Sequence, residues 1–352
     1  MSLPSTMRAI YYDQFGMQPV VKSVSLPKIK PQSVLVEVRA TGLCRSDWHG
    51  WKGHDPDILL PHVPGHEFAG VIVQIGSEVN RWTPGDRVTT PFIQACGHCD
   101  YCRSGNQQVC EHQEQAGFTY WGSFAEYVEI KNAETNLVRI PEAMSFDEAA
   151  VLGCRFGTAY RAVVNQGGVD REDFLLILGG GGVGLSALLI GKALGARIAV
   201  VDVNPESLTT AMDFGAEKVY ENLNQSAIHD LVNWSEKGVD VCVDAIGHPA
   251  LINSGLKTLR RRGRYIQVGL MPDQAGIPEI SLGKLLAQEL EILGSHGIQS
   301  WKYAEMLDFI IEQKLNIKDL IRQHCSLLDA VALLTSMDKN QHFGITVIHP
   351  SE

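Results

Sequence analysis

The chain has 352 residues, which is enough for two domains that each bury a core of their own. Hydrophobic residues make up 45% and charged residues 20%, and no apolar stretch approaches the roughly 20 residues that a membrane-spanning helix needs. The net charge of −10 makes nucleic-acid phosphates and anionic membranes poor partners. Eight cysteines without a signal-peptide pattern favour a cytoplasmic location and metal binding over disulfides.

Short strands separated by turns are predicted over residues 8–139. Within residues 34–41, Val34, Val36, Val38 and Ala40 lie on one face and Glu37, Arg39 and Thr41 on the other, which is typical of a half-buried strand. Gly42 is predicted to mark the turn that follows it. Further strands are predicted at residues 71–76, 85–88 and 124–128. This half of the chain is therefore predicted to form a compact β-rich domain.

The segment 44–49 follows that first strand and carries a thiol, a guanidinium, a hydroxyl, a carboxylate and an imidazole. His66 and Cys154, which lie farther along the chain, could join Cys44 at a metal ion. Two thiolates and one imidazole leave a fourth tetrahedral position open, which distinguishes catalytic from structural zinc. A lone cysteine is usually a small buried hydrophobe, so the hypothesis depends on the fold bringing all three together.

A second set of cysteines occupies a single loop. Cys96, Cys99, Cys102 and Cys110 have the spacing Cys-x2-Cys-x2-Cys-x7-Cys, which can fill a tetrahedral zinc shell and leave no open position. Four cysteines also hold iron–sulfur clusters, so such a cluster is the alternative. We favour a structural zinc because a second zinc-like set is present in the same chain.

Strands and helices alternate from residue 173 onward. The apolar run 174–178 predicts a buried parallel strand, and a Gly-x-Gly-x-x-Gly turn, a helix at 185–194 and a strand at 198–201 follow it. This arrangement is typical of a dinucleotide-binding βαβ unit. The candidate cofactor-binding residues of this half are Gly179, Gly181, Gly182, Val183, Gly184, Asp202 and Val268.

Asp202 ends the second strand of that unit and favours NAD over NADP. Its carboxylate can accept hydrogen bonds from the ribose hydroxyls and would repel a 2′-phosphate, and no basic residue follows in 203–205. Further strands at 239–244, 264–268 and 291–293 predict a six-stranded doubly wound sheet. Two amphipathic helices, at 302–313 and 328–337, and a closing strand at 345–348 are predicted to return to the first domain.

The motifs resemble, in their order along the chain, those of the zinc-dependent medium-chain alcohol dehydrogenases. The resemblance implies an α/β protein with a GroES-like β-rich catalytic domain at 1–157 and 298–352, which carries a structural zinc lobe at about 94–112. It implies a Rossmann domain with a six-stranded parallel sheet at 158–297. It also implies two zinc ions per chain, NAD as cofactor, a small-molecule alcohol or aldehyde as substrate, and a homotetramer or dimer.

The resemblance assigns roles around the catalytic zinc, which Cys44, His66 and Cys154 would bind. Asp47 would orient His66, as metal-bound imidazoles usually require, and Glu67 would lie behind the metal. The zinc would act as a Lewis acid on the alcohol oxygen, and nicotinamide would accept the hydride.

Other residues would handle the proton, the cofactor and the substrate. Ser46 and His49 would form the proton relay of the family, and Arg45 would contact the cofactor pyrophosphate. Phe92 and Trp51 are predicted to line the substrate pocket, although Trp51 could equally be a core aromatic. Many family members carry an arginine on the pyrophosphate where this chain has Ile345, so more of the cofactor affinity would rest on Arg45.

The predicted reaction is reversible hydride transfer between an apolar primary or secondary alcohol and NAD, which gives an aldehyde or ketone and NADH. Cys154 favours an apolar substrate because polyol dehydrogenases of this family commonly carry an acidic residue there. A polyol or formaldehyde dehydrogenase on the same scaffold is the nearest alternative. A zinc hydrolase would leave the glycine-rich turn unexplained, and a non-catalytic nucleotide-binding protein would have no need of the metal and relay residues.

Overall fold

The structure is a computed structural model that describes residues 3–271, 276, 278, 280–338 and 344–352. The chain forms two compact units. The first comprises Met1–Gly157, Gly297–Ile310 and Asn316–Glu352, and the second comprises Thr158–His296 and Ile311–Leu315. The first unit is therefore built from sequence on both sides of the second.

The strands of the described residues are numbered in chain order. They are β1 (Thr6–Tyr11), β2 (Val20–Ser25), β3 (Val34–Leu43), β4 (Glu67–Ile75), β5 (Arg87–Thr89), β6 (Tyr127–Ile130), β7 (Val138–Arg139), β8 (Phe174–Leu178), β9 (Arg197–Val201), β10 (Lys218–Tyr220), β11 (Val239–Asp244), β12 (Leu259–Gln267), β13 (Glu291–Gly294), β14 (Ile321–Cys325) and β15 (Ile345–Ile348).

The α-helices of the same residues are α1 (Arg45–Trp51), α2 (Asp100–Arg103), α3 (Ala133–Asn136), α4 (Phe146–Ala150), α5 (Gly157–Tyr160), α6 (Gly182–Leu194), α7 (Pro205–Phe214), α8 (Gln225–Trp234), α9 (Pro249–Thr258), α10 (Leu282–Gln288), α11 (Tyr303–Glu312) and α12 (Leu327–Thr335). Two π-helical segments lie at Leu152–Phe156 and Arg161–Gln166, and 3₁₀ turns lie at Gln107–Val109, Ser300–Lys302 and Ile317–Leu320. None of these helices has the length and apolar character that crossing a bilayer demands.

The first unit is β-rich, and its main sheet has the order β14-β15-β3-β4-β5-β7, with β6 also paired to β3. The predicted alternation in β3 holds over residues 36–40, where Val36 and Val38 are fully buried in a core with Phe68 and Ile72. It fails on either side, because Leu35 and Thr41 are also buried. The chain's last strand, β15, pairs in parallel with β14 and antiparallel with β3, so it completes the middle of this sheet.

The prediction of a turn at Gly42 is wrong, because β3 continues through Gly42 to Leu43. Gly42 pairs with Glu67 on β4 and with Val347 on β15. A Cβ atom built at Gly42 would lie 2.8 Å from Glu67 Oε2 and 2.9 Å from Arg155 Nη2. Glycine is therefore needed here for the close approach of two buried side chains and not for a turn.

The second unit contains a six-stranded sheet in the order β10-β9-β8-β11-β12-β13, with every neighbouring pair parallel. The predicted α/β class, with a β-rich part and a six-stranded parallel sheet, is confirmed. The apolar strand β8 lies inside the sheet between β9 and β11, which explains why four of its five residues are buried. The edge strand β10 was not predicted, because its three residues are only half-buried and lack an apolar run.

Candidate metal centres and cofactor turn

Three candidate metal ligands of the first unit come together from separate elements. Cys44 follows β3 and caps α1, His66 immediately precedes β4, and Cys154 lies in the π-helical segment Leu152–Phe156. One ligand atom from each residue lies within 4.8 Å of the other two. Cys44 and His66 are buried, and Cys154 is half-buried. The fold thus assembles the two-thiol, one-imidazole set that the sequence predicted as a group.

Asp47 ties this group together through both carboxylate oxygens. Oδ1 accepts hydrogen bonds from His66 Nδ1 at 2.9 Å and from the Gly65 amide at 3.1 Å, and Oδ2 accepts one from the Cys44 amide at 3.0 Å. His66 Nε2 is buried and has no hydrogen-bond partner among the described residues. The unpartnered Nε2 can therefore bind a zinc ion together with the two thiols. The bond from Nδ1 to a carboxylate is the one that most zinc-bound histidines make.

A buried ion pair between Glu67 and Arg155 supports the same group. The Arg155 guanidinium pairs with the Glu67 carboxylate, and the Arg155 amide donates to Glu67 Oε1 at 2.9 Å. Arg155 Nη1 also donates to the Leu43 carbonyl at 3.1 Å.

A hydrogen bond from Cys154, reinforced by the charge of Arg155, outweighs burial and holds the pKa of the Cys44 thiol well below its ordinary value. Both effects favour the thiolate that binds metals.

Burial raises the pKa of Glu67 even though Arg155 opposes the shift. The carboxylate is fully buried, and its ionised form depends on the guanidinium beside it. Arg155 was not predicted as a site residue. The only signal in the sequence was its position directly after Cys154, because its partners come from β3 and β4 and are distant along the chain.

Two aromatic rings stand edge-on to the His66 imidazole. The centroid of Phe118 lies 5.3 Å from that of His66, and the centroid of Phe92 lies 6.4 Å away. Phe92 was predicted at the substrate pocket, whereas Phe118 was missed because nothing in the sequence distinguishes it from a core aromatic. Apolar rings thus border the metal-ligand group.

Trp51, the other predicted pocket residue, lies in a core cluster with Ile10, Tyr12 and Leu43. It is 4% exposed, and its indole N–H donates to the Met17 carbonyl at 2.7 Å. These contacts are the ones expected of a core aromatic with a satisfied polar atom.

The predicted relay residues lie on α1, directly after Cys44. Ser46 Oγ is 3.8 Å from Cys44 Sγ, and His49 is half-buried with its Nδ1 3.0 Å from Nδ1 of His54. Burial, and then the charges of His54 and Arg45, lower the pKa of His49. His54 was not predicted to belong to the site, since the contact becomes evident only when the turn after α1 is in place.

Arg45 is exposed on α1, where Nη1 donates to the Met337 carbonyl at 2.9 Å and the guanidinium lies 4.9 Å from the Trp48 ring centroid. Ile345 is 1% exposed and pairs with Ile321 across β15 and β14. An isoleucine at this position therefore belongs to the sheet core of the first unit.

The four-cysteine loop gathers its sulfur atoms without help from distant elements. The Sγ–Sγ distances are 3.4 Å for Cys99–Cys102, 3.7 Å for Cys99–Cys110 and 3.9 Å for Cys96–Cys102. Tetrahedral zinc with Zn–S bonds of about 2.3 Å holds its sulfurs about 3.8 Å apart, so the set fits one zinc ion. Backbone amides add N–H···S bonds, including Cys99 N to Cys96 Sγ at 3.3 Å and Cys96 N to Cys110 Sγ at 3.3 Å.

The glycine-rich turn of the second unit joins β8 to α6. Gly179 has a φ of +98°, and a Cβ at Gly184 would lie 1.7 Å from the Gly179 carbonyl oxygen, so both positions require glycine. A Cβ at Gly181 would meet nothing within 4 Å. Gly182 and Val183 open α6, whose first turn has no side-chain cap. Free amides beside open space fit a dinucleotide pyrophosphate.

Asp202 follows β9 and faces this turn. Its Oδ2 accepts a hydrogen bond from the Gly180 amide at 2.6 Å, and Oδ1 accepts one from the Asn204 amide at 2.8 Å. Val268 follows β12, and its amide donates to the Asp244 carbonyl at 2.9 Å. The turn and the two carboxyl-terminal strand ends therefore all belong to the second unit.

The parallel sheet with its glycine-rich turn, together with the two cysteine sets, defines a zinc-binding dehydrogenase. Residues 30–142 match the alcohol dehydrogenase GroES-like domain, and residues 182–312 match the zinc-binding dehydrogenase family. The chain belongs to the zinc-dependent medium-chain alcohol dehydrogenase family. It is an oxidoreductase that acts on alcohols with zinc and a nicotinamide cofactor.

An alcohol dehydrogenase of Geobacillus stearothermophilus is 36% identical over 88% of this chain and 90% of its own. An NAD-dependent alcohol dehydrogenase of Saccharolobus solfataricus is 34% identical over 98% of this chain and 100% of its own. A D-arabitol-phosphate dehydrogenase of Enterococcus avium is 29% identical over 90% and 89%, respectively. The solved structure of the alcohol dehydrogenase TADH from Thermus sp. ATN1 has a TM-score of 0.89 at 27% identity, covering 97% of this chain and 99% of that chain.

Proposed function

We propose that the protein oxidises apolar primary or secondary alcohols to aldehydes or ketones with NAD, and catalyses the reverse reaction with NADH. The observation that carries this proposal is the buried group of Cys44, His66 and Cys154, which offers three donors and leaves a tetrahedral position for the substrate oxygen. The catalytic domain in this proposal spans 1–157 and 298–352, and the dinucleotide domain spans 158–297.

Cys44, His66 and Cys154 would hold the catalytic zinc. When bound, zinc supplies a Lewis acid for the oxygen of the alcohol or carbonyl substrate. Asp47 selects the tautomer of His66, because a proton held on Nδ1 leaves the Nε2 lone pair for the metal. Glu67 pairs with Arg155, and these bonds would fix the segment that carries Cys154. The guanidinium also neutralises the charge of the buried Glu67 carboxylate.

Ser46 and His49 would move the proton that the alcohol loses. Ser46 would accept the proton from the substrate hydroxyl at the metal and pass its own proton on, and the 3.8 Å distance between its Oγ and the Cys44 sulfur supports this role. His49 would pass the proton to solvent, since its imidazole is half-buried and keeps a lowered pKa that favours the accepting, neutral form.

The second unit would bind the cofactor, whose nicotinamide ring accepts the hydride when it is bound. The amides of Gly182, Val183 and Gly184 at the start of α6 would hold the pyrophosphate, with Arg45 as a further contact. Gly179 and Gly181 would shape the turn, Asp202 would bind the adenosine ribose, and Val268 would be a backbone contact. Asp202 supports NAD over NADP because its negative charge repels a 2′-phosphate.

Phe92, with Phe118 beside it, supports an apolar substrate pocket, since both rings border the metal-ligand group. The alternative of a polyol dehydrogenase is supported by the relative that is named a D-arabitol-phosphate dehydrogenase. Cys154 argues against it, because polyol dehydrogenases of the family commonly have an acidic residue at that position. Our proposal omits Trp51 from the pocket, because its core contacts support the alternative of a core aromatic.

A substrate panel tests this proposal directly. Butanol, benzyl alcohol and sorbitol are assayed with NAD and with NADP, and NADH formation is followed by absorbance. We expect the apolar alcohols to give the higher kcat/KM, and NAD to be preferred over NADP by a margin that falls in Asp202→Ala. Faster turnover of sorbitol would favour the polyol dehydrogenase, and no turnover of any alcohol would revive the zinc hydrolase.

The structural zinc, the assembly and the location complete the proposal. Cys96, Cys99, Cys102 and Cys110 would bind the second zinc, so the two cysteine-containing groups together would account for two zinc ions per chain. A homotetramer or dimer is supported by exposed apolar side chains on α10 and the edge strand β13, among them Leu286 at 82% exposed, and sedimentation tests it. Eight free cysteines support a reducing compartment such as the cytoplasm.

A further inference from the structure

A third group of metal-binding side chains lies in the first unit and contains no cysteine. It consists of Asp147, His324 and His349, whose ligand atoms all lie within 4.8 Å of one another. His324 Nε2 is 3.1 Å from Asp147 Oδ2, and His349 Nε2 is 2.9 Å from Asp147 Oδ1. The two imidazoles are stacked, with centroids 5.2 Å apart and planes inclined by 23°. The Nε2 atoms of both rings therefore converge on one carboxylate.

Strand pairing fixes the two histidines. The parallel register of β14 and β15 sets His324 opposite Val347 and Cys325 opposite Ile348. His349 follows β15 directly, and its amide donates to the Cys325 carbonyl at 2.9 Å, which extends the pairing by one residue. The histidine from each strand end is thus held by backbone hydrogen bonds and not only by its own side chain.

Asp147 comes from a third element, the first turn of α4. The cap of that helix is formed by Ser145 and Glu148, which exchange hydrogen bonds in a capping box. The Asp147 carboxylate is therefore not needed for the helix terminus and is free to face the histidines. Three separate elements contribute one ligand each.

We propose that Asp147, His324 and His349 form a binding site for a divalent cation of the zinc class. Two imidazoles and a carboxylate suit Zn²⁺, Co²⁺ or Ni²⁺, whereas Mg²⁺ and Ca²⁺ prefer sites built entirely from oxygen. A bound cation would take the lone pair of each Nε2, which requires the ring proton to lie on Nδ1. The remaining coordination positions are filled by water.

The surroundings of His349 favour a proton on its Nδ1. Its Nδ1 lies 3.4 Å from Glu352 Oε1, so the Glu352 carboxylate can accept a hydrogen bond from an Nδ1–H group. Outer carboxylates of this kind orient metal-bound histidines and raise their basicity. Arg8 holds the same segment, because Nη2 donates to the Pro350 carbonyl at 3.0 Å.

Exposure also favours a cation over a purely structural ion-pair cluster. The side chains of Asp147, His324 and His349 are 31%, 49% and 22% exposed, so a cation can enter from solvent. Ion pairs this exposed contribute little stability by themselves.

Equilibrium dialysis of the zinc-loaded enzyme against added Zn²⁺, followed by metal analysis, tests the site. We expect one more zinc ion per chain in the wild type than in His324→Gln, His349→Gln or Asp147→Asn. His229→Gln, which removes an exposed histidine on α8 of the second unit, is the matched control and should bind like the wild type. Equal zinc uptake by the wild type and the three cluster variants would overturn the proposal.

Histidine labelling with diethyl pyrocarbonate, read by peptide mass, supplies a test that needs no variant. Zn²⁺ should protect His324 and His349, an equal concentration of Mg²⁺ should not, and His229 should react equally in all samples. Unchanged labelling of both histidines at saturating Zn²⁺ would contradict the site. Neither zinc uptake nor histidine labelling depends on alcohol oxidation, so a failure of the cation site can be distinguished from a failure of the proposed dehydrogenase function.

Discussion

The two cysteine-containing groups are assembled in different ways. The four-cysteine loop draws all of its sulfurs and its N–H···S donors from one short stretch, residues 96–112. The group at Cys44 draws its ligands from three separate elements and is held by Asp47 and by the buried Glu67–Arg155 pair. A closed site can therefore be encoded by spacing alone, whereas an open site requires buried charges supplied by the rest of the fold.

Removing one ligand from each group should separate their roles most strongly. We expect Cys154→Ser to abolish alcohol oxidation while the chain keeps the zinc of the four-cysteine loop. Cys102→Ser should lose that loop zinc and melt at a lower temperature, and its remaining folded fraction should still oxidise alcohol. Zinc content per chain, thermal melting and NADH formation measure the three effects. Activity in Cys154→Ser equal to that of the wild type would remove this residue from the catalytic centre.

The supporting charges should show the next largest effect. Arg155→Met leaves Glu67 buried without a cation, which should lower the free energy of unfolding by about 3–5 kcal/mol. Arg139→Met is the matched control, because Arg139 pairs with Asp86 at the surface and is 59% exposed. The control should cost about 0–1 kcal/mol. Denaturant titration of the zinc-loaded proteins measures both, and equal losses would mean that burial of the pair does not matter.

A methyl group between the two charges should have a smaller effect. Gly42→Ala would place a Cβ atom 2.8 Å from Glu67 Oε2, so the buried pair must shift. We expect a loss of about 1–3 kcal/mol in unfolding free energy together with a lower kcat. Gly283→Ala in α10, where a Cβ meets nothing within 4 Å, should be neutral or stabilising. A neutral Gly42→Ala would show that the pair adapts freely.

The smallest expected effect concerns proton transfer on α1. The charge of His54 lowers the pKa of His49, so His54→Gln should raise it. In the proposed relay, neutral His49 accepts the proton, so the acid limb of the kcat/KM profile should move to higher pH. The shift should vanish in a His49→Gln background, and His49→Gln should slow alcohol oxidation, relative to the wild type, most below neutral pH. A profile that stays in place in both variants would exclude His49 from the relay.

Local patterns in the sequence were sufficient to predict much of the fold. The apolar run of β8, the glycine demands of the turn at Gly179–Gly184 and the spacing of the four cysteines each depend on residues close together in the chain. The six-stranded parallel sheet was predicted from the same local signals, although β10, at the sheet edge, carried too little apolar sequence to be recognised.

Contacts between distant residues could not be predicted from the sequence. Gly42 was predicted to be a turn because the side chains that crowd it come from Glu67 and Arg155, far along the chain. Arg155 itself carries no motif, and its role becomes visible only through its bonds to Leu43 and Glu67. Phe118 likewise became a candidate only when its ring was found beside His66.

The position of β15 has a consequence for biosynthesis. Thr346 pairs with Leu43, the residue directly before Cys44, so the strand that supports this ligand is translated after the four-cysteine loop and after the parallel-sheet unit. The four-cysteine loop has no such dependence and can capture its ion while the chain is still nascent. Nearly all of the parallel-sheet unit is contiguous and can fold before β15 is translated. We therefore expect metal loading to be ordered, with the loop first and the catalytic position last.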